Sequence, residues 1–144
     1  MAGINSSGWT CPSAQPDMFE AKPFGVIEGT PDEPRIAYLR ADVVVDQEAV
    51  RALPIDPVHV FRFSALCEES RCGQFDGTSC GLGKRVTTGL VPVVDALPPC
   101  QVRPTCRWYA ENGRDACLRC PQVITLVRSD GSRLSKVAQP QPLR

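Results

Sequence analysis

The chain has 144 residues and a mass of 15.7 kDa, room for one domain of common size but not for two. Its 16 Lys and Arg balance 16 Asp and Glu, with a pI near 6.6, which argues against a polybasic nucleic-acid tail or a strongly acidic decoy. Against a single histidine, His59, stand 8 cysteines and 14 prolines, so the chemistry on offer is that of thiols.

In chain order, the opening residues Met1 to Thr10 have neither a charged n-region nor an apolar h-region. Residues 1–34 hold five prolines and several glycines and read as an extended arm. Residues 35–127 read as a single cysteine-rich α+β domain, a few strands and short helices organised around cysteine-ligated metal sites. Within it, Arg35 to Val45 is rich in β-branched and apolar residues and predicts a strand. Asp46 can cap a short helix that runs through Leu53 and stops at Pro54, with Glu48 in its first turn. Val58 to Ala65 alternates as a second strand. Gly81 to Leu97 predicts a helix, weakened by Gly89 and broken near Pro92. Two helical turns are expected around Gly113, and a last strand from Pro121 to Val127. Residues 128–144 lack a periodic apolar face and read as a disordered tail. The longest apolar runs, such as Val123 to Val127, fall far short of the roughly 20 residues needed to span a bilayer. A cytoplasmic location without membrane contact is therefore expected, and there clustered cysteines serve metals more often than disulfides.

Charge and cysteine change together along the chain. Residues 1–66 carry 9 acids and 5 bases, net −4; residues 67–144 carry 7 acids and 11 bases, net +4. Seven of the eight cysteines lie in the basic part. The first group is Cys67-x4-Cys72-x7-Cys80, and the second is Cys100-x5-Cys106-x10-Cys117-x2-Cys120, followed by Pro121. Cys11 stands alone, and the arm can return it to the first group as a fourth thiol. Four thiolates are what an iron–sulfur cluster or an all-cysteine zinc site takes. Two sites follow: Cys11, Cys67, Cys72 and Cys80 in one, and Cys100, Cys106, Cys117 and Cys120 in the other, although interleaved pairings satisfy the same counts.

A zinc ribbon uses two short knuckles, and here Cys117-x2-Cys120 is a clean one while Cys67-x4-Cys72 is marginal. The longer gaps suit a larger object reached from several directions, such as a [4Fe–4S] cubane. Five arginines (Arg103, Arg107, Arg114, Arg119 and Arg128) against Glu111 and Asp115 between Leu97 and Arg128 can offset the negative charge of such a cluster, or can simply form a solvated basic surface.

From Leu97 to Thr125 the chain resembles a segment of small uncharacterised cysteine-rich bacterial proteins with a C-x5-C-R-W…A-C-x2-C-P pattern. The residues that carry it are Cys100, Cys106, Arg107, Trp108, Ala116, Cys117, Cys120 and Pro121, and Phe61 to Cys80 is of the same type. The likeness covers about half the chain and implies no particular activity or cofactor. The chain does not resemble classical ferredoxins, rubredoxin or WhiB-type regulators closely.

Among other residues, Trp108 and Tyr109 can shield a cluster or simply fill the core. His59, alone in a strand, reads as packed or exposed more readily than as a ligand. Gln74 to Ser79 reads as a turn, and Gly81 to Arg85 lacks the spacing of a phosphate-binding loop. The leading expectation is one or two iron–sulfur clusters in an electron carrier or an accessory redox subunit, its partner a redox enzyme or another protein. Alternatives are an iron–sulfur enzyme with an open iron, a zinc-stabilised module that binds protein or nucleic acid, and a disulfide-stapled domain. Neutral overall charge and few aromatics count against nucleic acid.

Overall fold

The computed structural model describes residues 8–30, 32–125 and 133–138. Four strands, β1 (Thr10–Ala14), β2 (Lys22–Gly29), β3 (Pro34–Tyr38) and β4 (Phe61–Leu66), form one sheet in the order β1-β4-β2-β3, with every pair antiparallel. Among the described residues five short helices accompany it: α1 (Gln47–Arg51), α2 (Gly81–Gly89), α3 (Arg107–Asn112), α4 (Arg114–Arg119) and α5 (Arg133–Ala138). The fold is thus a mixture of α and β, as expected. No helix among the described residues is long and apolar enough to cross a membrane.

Residues 1–34 are not a separate arm. They supply β1 and β2, and β2 is one of the two central strands. The prolines that suggested a loop sit where strands tolerate a missing N–H: Pro12 on an edge strand, Pro23 beside a bulge, and Pro34 at the first position of β3. The strand expected from Arg35 to Val45 ends at Tyr38. Leu39 still donates to Phe24 O at 2.9 Å, but the next partner on β2 would be Pro23, which has nothing to donate. Val43 and Val44 are accordingly exposed.

Asp46 caps α1 as expected, its Oδ1 accepting the Glu48 N–H at 3.0 Å. The expected strand from Val58 begins at Phe61, because Asp56 and Pro57 open a 3₁₀ turn over Pro57–His59. Helix α2 stops at Gly89. Beyond it the chain is held by side chains: Arg119 Nε donates to Leu90 O at 2.8 Å and Gln122 Nε2 to Val91 O at 2.6 Å. Gly113, at φ +69°, lets α3 turn directly into α4, the two helical turns expected there.

The last strand does not form within the described residues. Pro121 opens a 3₁₀ turn over Cys120–Gln122, and Val123 O accepts from Arg62 Nη1 at 3.2 Å instead of from a neighbouring strand. Part of the expected disordered tail is helical: α5 buries Val137, and the Val137 and Ala138 carbonyls accept from Arg85 Nε at 2.8 Å and Gln74 Nε2 at 2.9 Å. Leu134 and Val137 of this helix pack on the larger core cluster, too short a run to show a repeating face in the sequence. Residues 128–132 and 139–144 lie outside the described residues.

Among the described residues two apolar clusters pack against the sheet. The larger joins Phe24 of β2 to Val86, Leu90, Val102, Cys106, Trp108, Ala116, Val123 and Val137, which come from the helices and loops. The smaller joins Ala14, Phe63 and Ala65 to Val50 of α1. Alternation along β4 sends Phe61, Phe63 and Ala65 to the second cluster and aims Arg62, between Phe61 and Phe63, at the first.

Candidate metal centres

The fold delivers the cysteines at element ends. Cys11 lies in β1, Cys67 follows β4, Cys72 ends a 3₁₀ turn over Glu69–Arg71, and Cys80 is the N-cap of α2. These four line one cavity of about 560 Å³. Cys100 precedes the 3₁₀ turn Arg103–Thr105, Cys106 is the N-cap of α3, Cys117 lies in α4, and Cys120 ends it. These four line a second, much smaller cavity of about 20 Å³. The grouping drawn from sequence is the one the cavities display, and the interleaved pairings are not.

Electrostatics follows the same division. Burial pushes the Cys11 thiol up to about 12; the Ser13 N–H works against this, while Cys80, Cys67 and Cys72 add to it. The residue keeps some exposed surface, but its surroundings are dense enough for burial to dominate. Burial likewise pushes Cys106 up to about 12, with Tyr109 and Trp108 N–H groups opposing and Cys120 and Cys100 reinforcing. Burial raises Cys80, Cys100 and Cys117 as well. In the metal-free chain these thiols hold their protons at neutral pH, so a metal must displace protons to bind. All eight cysteines are free thiols; none is paired in a disulfide.

Donors point at the sulfurs from several sides. The Gly83 N–H donates to Cys80 Sγ at 3.4 Å, which places the start of α2 against that thiol. The Gln74 N–H donates to Cys72 Sγ at 3.4 Å. Arg107 Nη1 lies 3.7 Å from Cys67 Sγ and is also bound at 2.9 Å by Glu69, while its Nε meets Glu111 at 2.9 Å.

The second group has a different neighbour. Arg62 is fully buried and donates from Nη2 to Cys120 Sγ at 2.9 Å, from Nη1 to Cys120 O at 2.6 Å, and from Nε to Pro12 O at 2.7 Å. Its guanidinium carbon stands 5.3 Å from the Phe24 ring centre and 5.2 Å from that of Trp108. Burial opposes its charge, but Cys120 and Tyr38 more than compensate and hold it firmly protonated. Burial, followed by the nearby Cys120, pushes the Tyr38 phenol above its ordinary range. Arg103 faces Cys117, and burial of its charge is outweighed by that thiol.

Two buried donors on this side lack a partner among the described residues: Arg103 Nε and Trp108 Nε1. Trp108 is 2% exposed, and its indole N–H approaches Cys80 closely enough to favour the thiolate there without completing a regular hydrogen bond. Arg103 and Trp108 both line the second cavity. Arg103 Nε is therefore the unanswered buried donor beside Cys117, while the Trp108 N–H is turned toward the first group.

Arg62 was the residue sequence reading missed. Between Phe61 and Phe63 it occupies the polar position of an alternating strand, which ordinarily faces water. Of the arginines between Leu97 and Arg128, Arg103 and Arg107 face sulfur; Arg114 donates to Asp95 O, Arg119 to Leu90 O and Asp115 O, and Arg128 lies outside the described residues. His59 is exposed and lines neither cavity. Asp76 organises the expected turn, accepting the Thr78 and Ser79 N–H groups at 3.0 and 2.8 Å.

Among the described residues, no three His, Cys, Asp or Glu side chains form a group that could hold a metal ion as they stand. A tetrahedral zinc draws its thiolates to about 3.8 Å from one another, as ~2.3 Å Zn–S bonds require. The thiolates of a cubane stand further apart, since each binds a different iron. No protein-family model, curated protein or solved structure matches the chain.

Proposed function

We propose that the protein binds two iron–sulfur clusters of the [4Fe–4S] type and carries electrons, either alone or as an accessory subunit of a redox enzyme. The observation that carries this reading is the division of eight free cysteines into two sets of four, one lining a cavity of about 560 Å³ and the other a space of about 20 Å³ that must widen to admit a cluster. The N–H groups of Gln74 and Gly83 and the guanidinium of Arg62 already donate to sulfur, the environment that stabilises thiolate-ligated clusters and sets their potentials. The short helices and loops that gave little regular structure in the sequence are, on this reading, a cage built around the clusters. A cytoplasmic location and a protein partner belong to the same proposal.

Cys11 bears on the enzyme alternative. It joins Cys67, Cys72 and Cys80 at one cavity, so the first group offers a thiol for every iron corner of a cubane and favours a carrier over an open Lewis-acidic iron. The 560 Å³ cavity is the feature that favours the enzyme, since it leaves space beside the cluster for a second molecule.

The test is a pair of variants purified without oxygen. Cys72→Ser with Cys80→Ser should remove about half of the iron and sulfide, and Cys117→Ser with Cys120→Ser the other half. Loss of all metal from either pair would contradict two separate sites. Cys11→Ala that keeps a full cluster complement, with a spectrum that responds to small added ligands, would move the reading to the enzyme.

A further inference from the structure

The geometry points to two centres of unequal reduction potential, with the Cys100, Cys106, Cys117 and Cys120 centre the higher, so that an electron entering at the Cys11 side comes to rest beside Arg62. This rests on the proposal of two clusters and adds a direction to it.

The first support is the path between the groups. Trp108 approaches Cys80 of the first group with its indole N–H. One face of its ring meets the Arg62 guanidinium at 5.2 Å, and Arg62 reaches Cys120 of the second group at 2.9 Å. Cys80, Trp108, Arg62 and Cys120 therefore form a continuous line of close contacts across the core, with Trp108 only two positions from Cys106.

The second support is charge. Arg62 is fully buried and, among the described residues, forms no ion pair with Asp or Glu. Its charge is answered by Cys120 sulfur, by backbone carbonyls, by the Tyr38 phenol and by the Phe24 and Trp108 rings. Arg103 adds a second cation beside Cys117, and among the described residues no carboxylate lines that cavity. Around the first group the balance reverses. Arg107 is paired with both Glu69 and Glu111. Arg71 and Arg85 are the other cations near it, while Asp17 and Glu68 also line its cavity. Counting full charges among the described residues named here, the second group has two cations and no acids, or +2; the first has three cations and four acids, or −1. A reduced cluster carries one more negative charge than an oxidised one, so it is stabilised where positive charge is unopposed and buried. Contact with water across the larger cavity works in the other direction at the first group, but water screens a charge it surrounds and cannot supply the fixed, desolvated cation that Arg62 places against sulfur.

The transfer balances as it stands. One electron leaves the Cys11-side cluster, which is oxidised, and arrives on the Cys120-side cluster, which is reduced; no bond forms or breaks. A one-electron donor, dithionite in the experiment below, re-reduces the first cluster.

The full-length, cluster-loaded protein is titrated with dithionite under anaerobic conditions and followed by electron paramagnetic resonance. Two one-electron steps are expected. Arg62→Gln should lower the upper step at least tenfold in its equilibrium constant, about 59 mV for one electron, and leave the lower step in place. Arg62→Lys should recover much of that shift. Coincident steps, or an Arg62→Gln variant that moves only the lower step or neither, would overturn the direction of transfer while leaving two clusters intact. Should Arg62→Gln fail to hold its second cluster, Cys72→Ser with Cys80→Ser provides the other arm: the surviving centre should titrate at the upper wild-type potential, and survival at the lower one overturns the inference. Protein without iron or labile sulfide refutes the cluster proposal itself, and this inference with it.

Discussion

Arg62 Nη2 lies 2.9 Å from Cys120 Sγ, across 58 positions of sequence and in the core of the molecule. The contact ties the central strand β4 to the end of α4. It also makes a buried cation depend on sulfur and backbone oxygen for its solvation. Replacing Arg62 with Ala removes three donors at once and takes the guanidinium from the Pro12 and Val123 carbonyls, while Cys120 O keeps the Val123 N–H at 3.0 Å. A loss of about 3–5 kcal/mol is expected in denaturant unfolding of the metal-free protein, and Arg62→Lys should lose less, since it keeps the charge but not the fork. A loss below about 1 kcal/mol for the alanine variant would show that the guanidinium is not a structural centre.

Gly83 has its own test. A Cβ added there would come within 2.6 Å of Trp108 Cδ1 and 2.9 Å of its Cγ, closer than real contacts allow. Gly83→Ala should displace the indole, cost about 1–3 kcal/mol, and shift the tryptophan fluorescence, because the ring moves from its place between Arg62 and α2. Unchanged stability and emission would mean that the ring has space to retreat.

Helix α5 tests the correction to the expected tail. Val137 is 7% exposed and joins the larger core cluster. Val137→Ala should cost about 2 kcal/mol from lost burial and the space left behind. No measurable change in the unfolding midpoint would mean that residues 133–138 do not belong to the core.

How far the sequence could be read follows from the range of the forces involved. Local chemistry was legible: Asp46 caps α1, Asp76 organises its turn, and Gly113 separates α3 from α4, although α2 already ends at Gly89, short of the break expected near Pro92. Each depends on neighbours within a few residues. The division of the cysteines was legible in part, because short spacings keep Cys67 to Cys80 and Cys100 to Cys120 local; only Cys11 had to be returned from a distance. What composition obscured was pairing between distant segments. Pro12, Pro23 and Pro34 gave β1 to β3 the look of a loop, and nothing near Arg62 in sequence announces that its partner is Cys120. The place of α5 was hidden for the same reason, since its partners Gln74 and Arg85 lie far upstream.

Asp76 carries the pH prediction. Hydrogen bonds from the Thr78 and Ser79 N–H groups, then from the Ser79 hydroxyl, lower its carboxyl to about 2 from an ordinary 3.8. A folded-state value below the unfolded one means that the turn is fully supported above the ordinary value and loses that support as pH falls through the folded value. Carboxyl resonances followed by NMR should show Asp76 ionised down to about pH 2. The turn before Cys80 should open only below that. Asp76→Asn should abolish the titration and lower metal retention at the first group in mildly acidic buffer. A titration midpoint near the ordinary aspartate value would contradict the turn geometry.

The central claim is that these eight thiols hold iron and sulfide, and chemical analysis of protein purified without oxygen tests it most directly. Two cubanes require about eight iron and about eight acid-labile sulfide per chain, in a brown protein whose colour bleaches on reduction. A colourless protein with stoichiometric zinc and no sulfide, or one whose denatured mass shows hydrogens lost to disulfides, would contradict it.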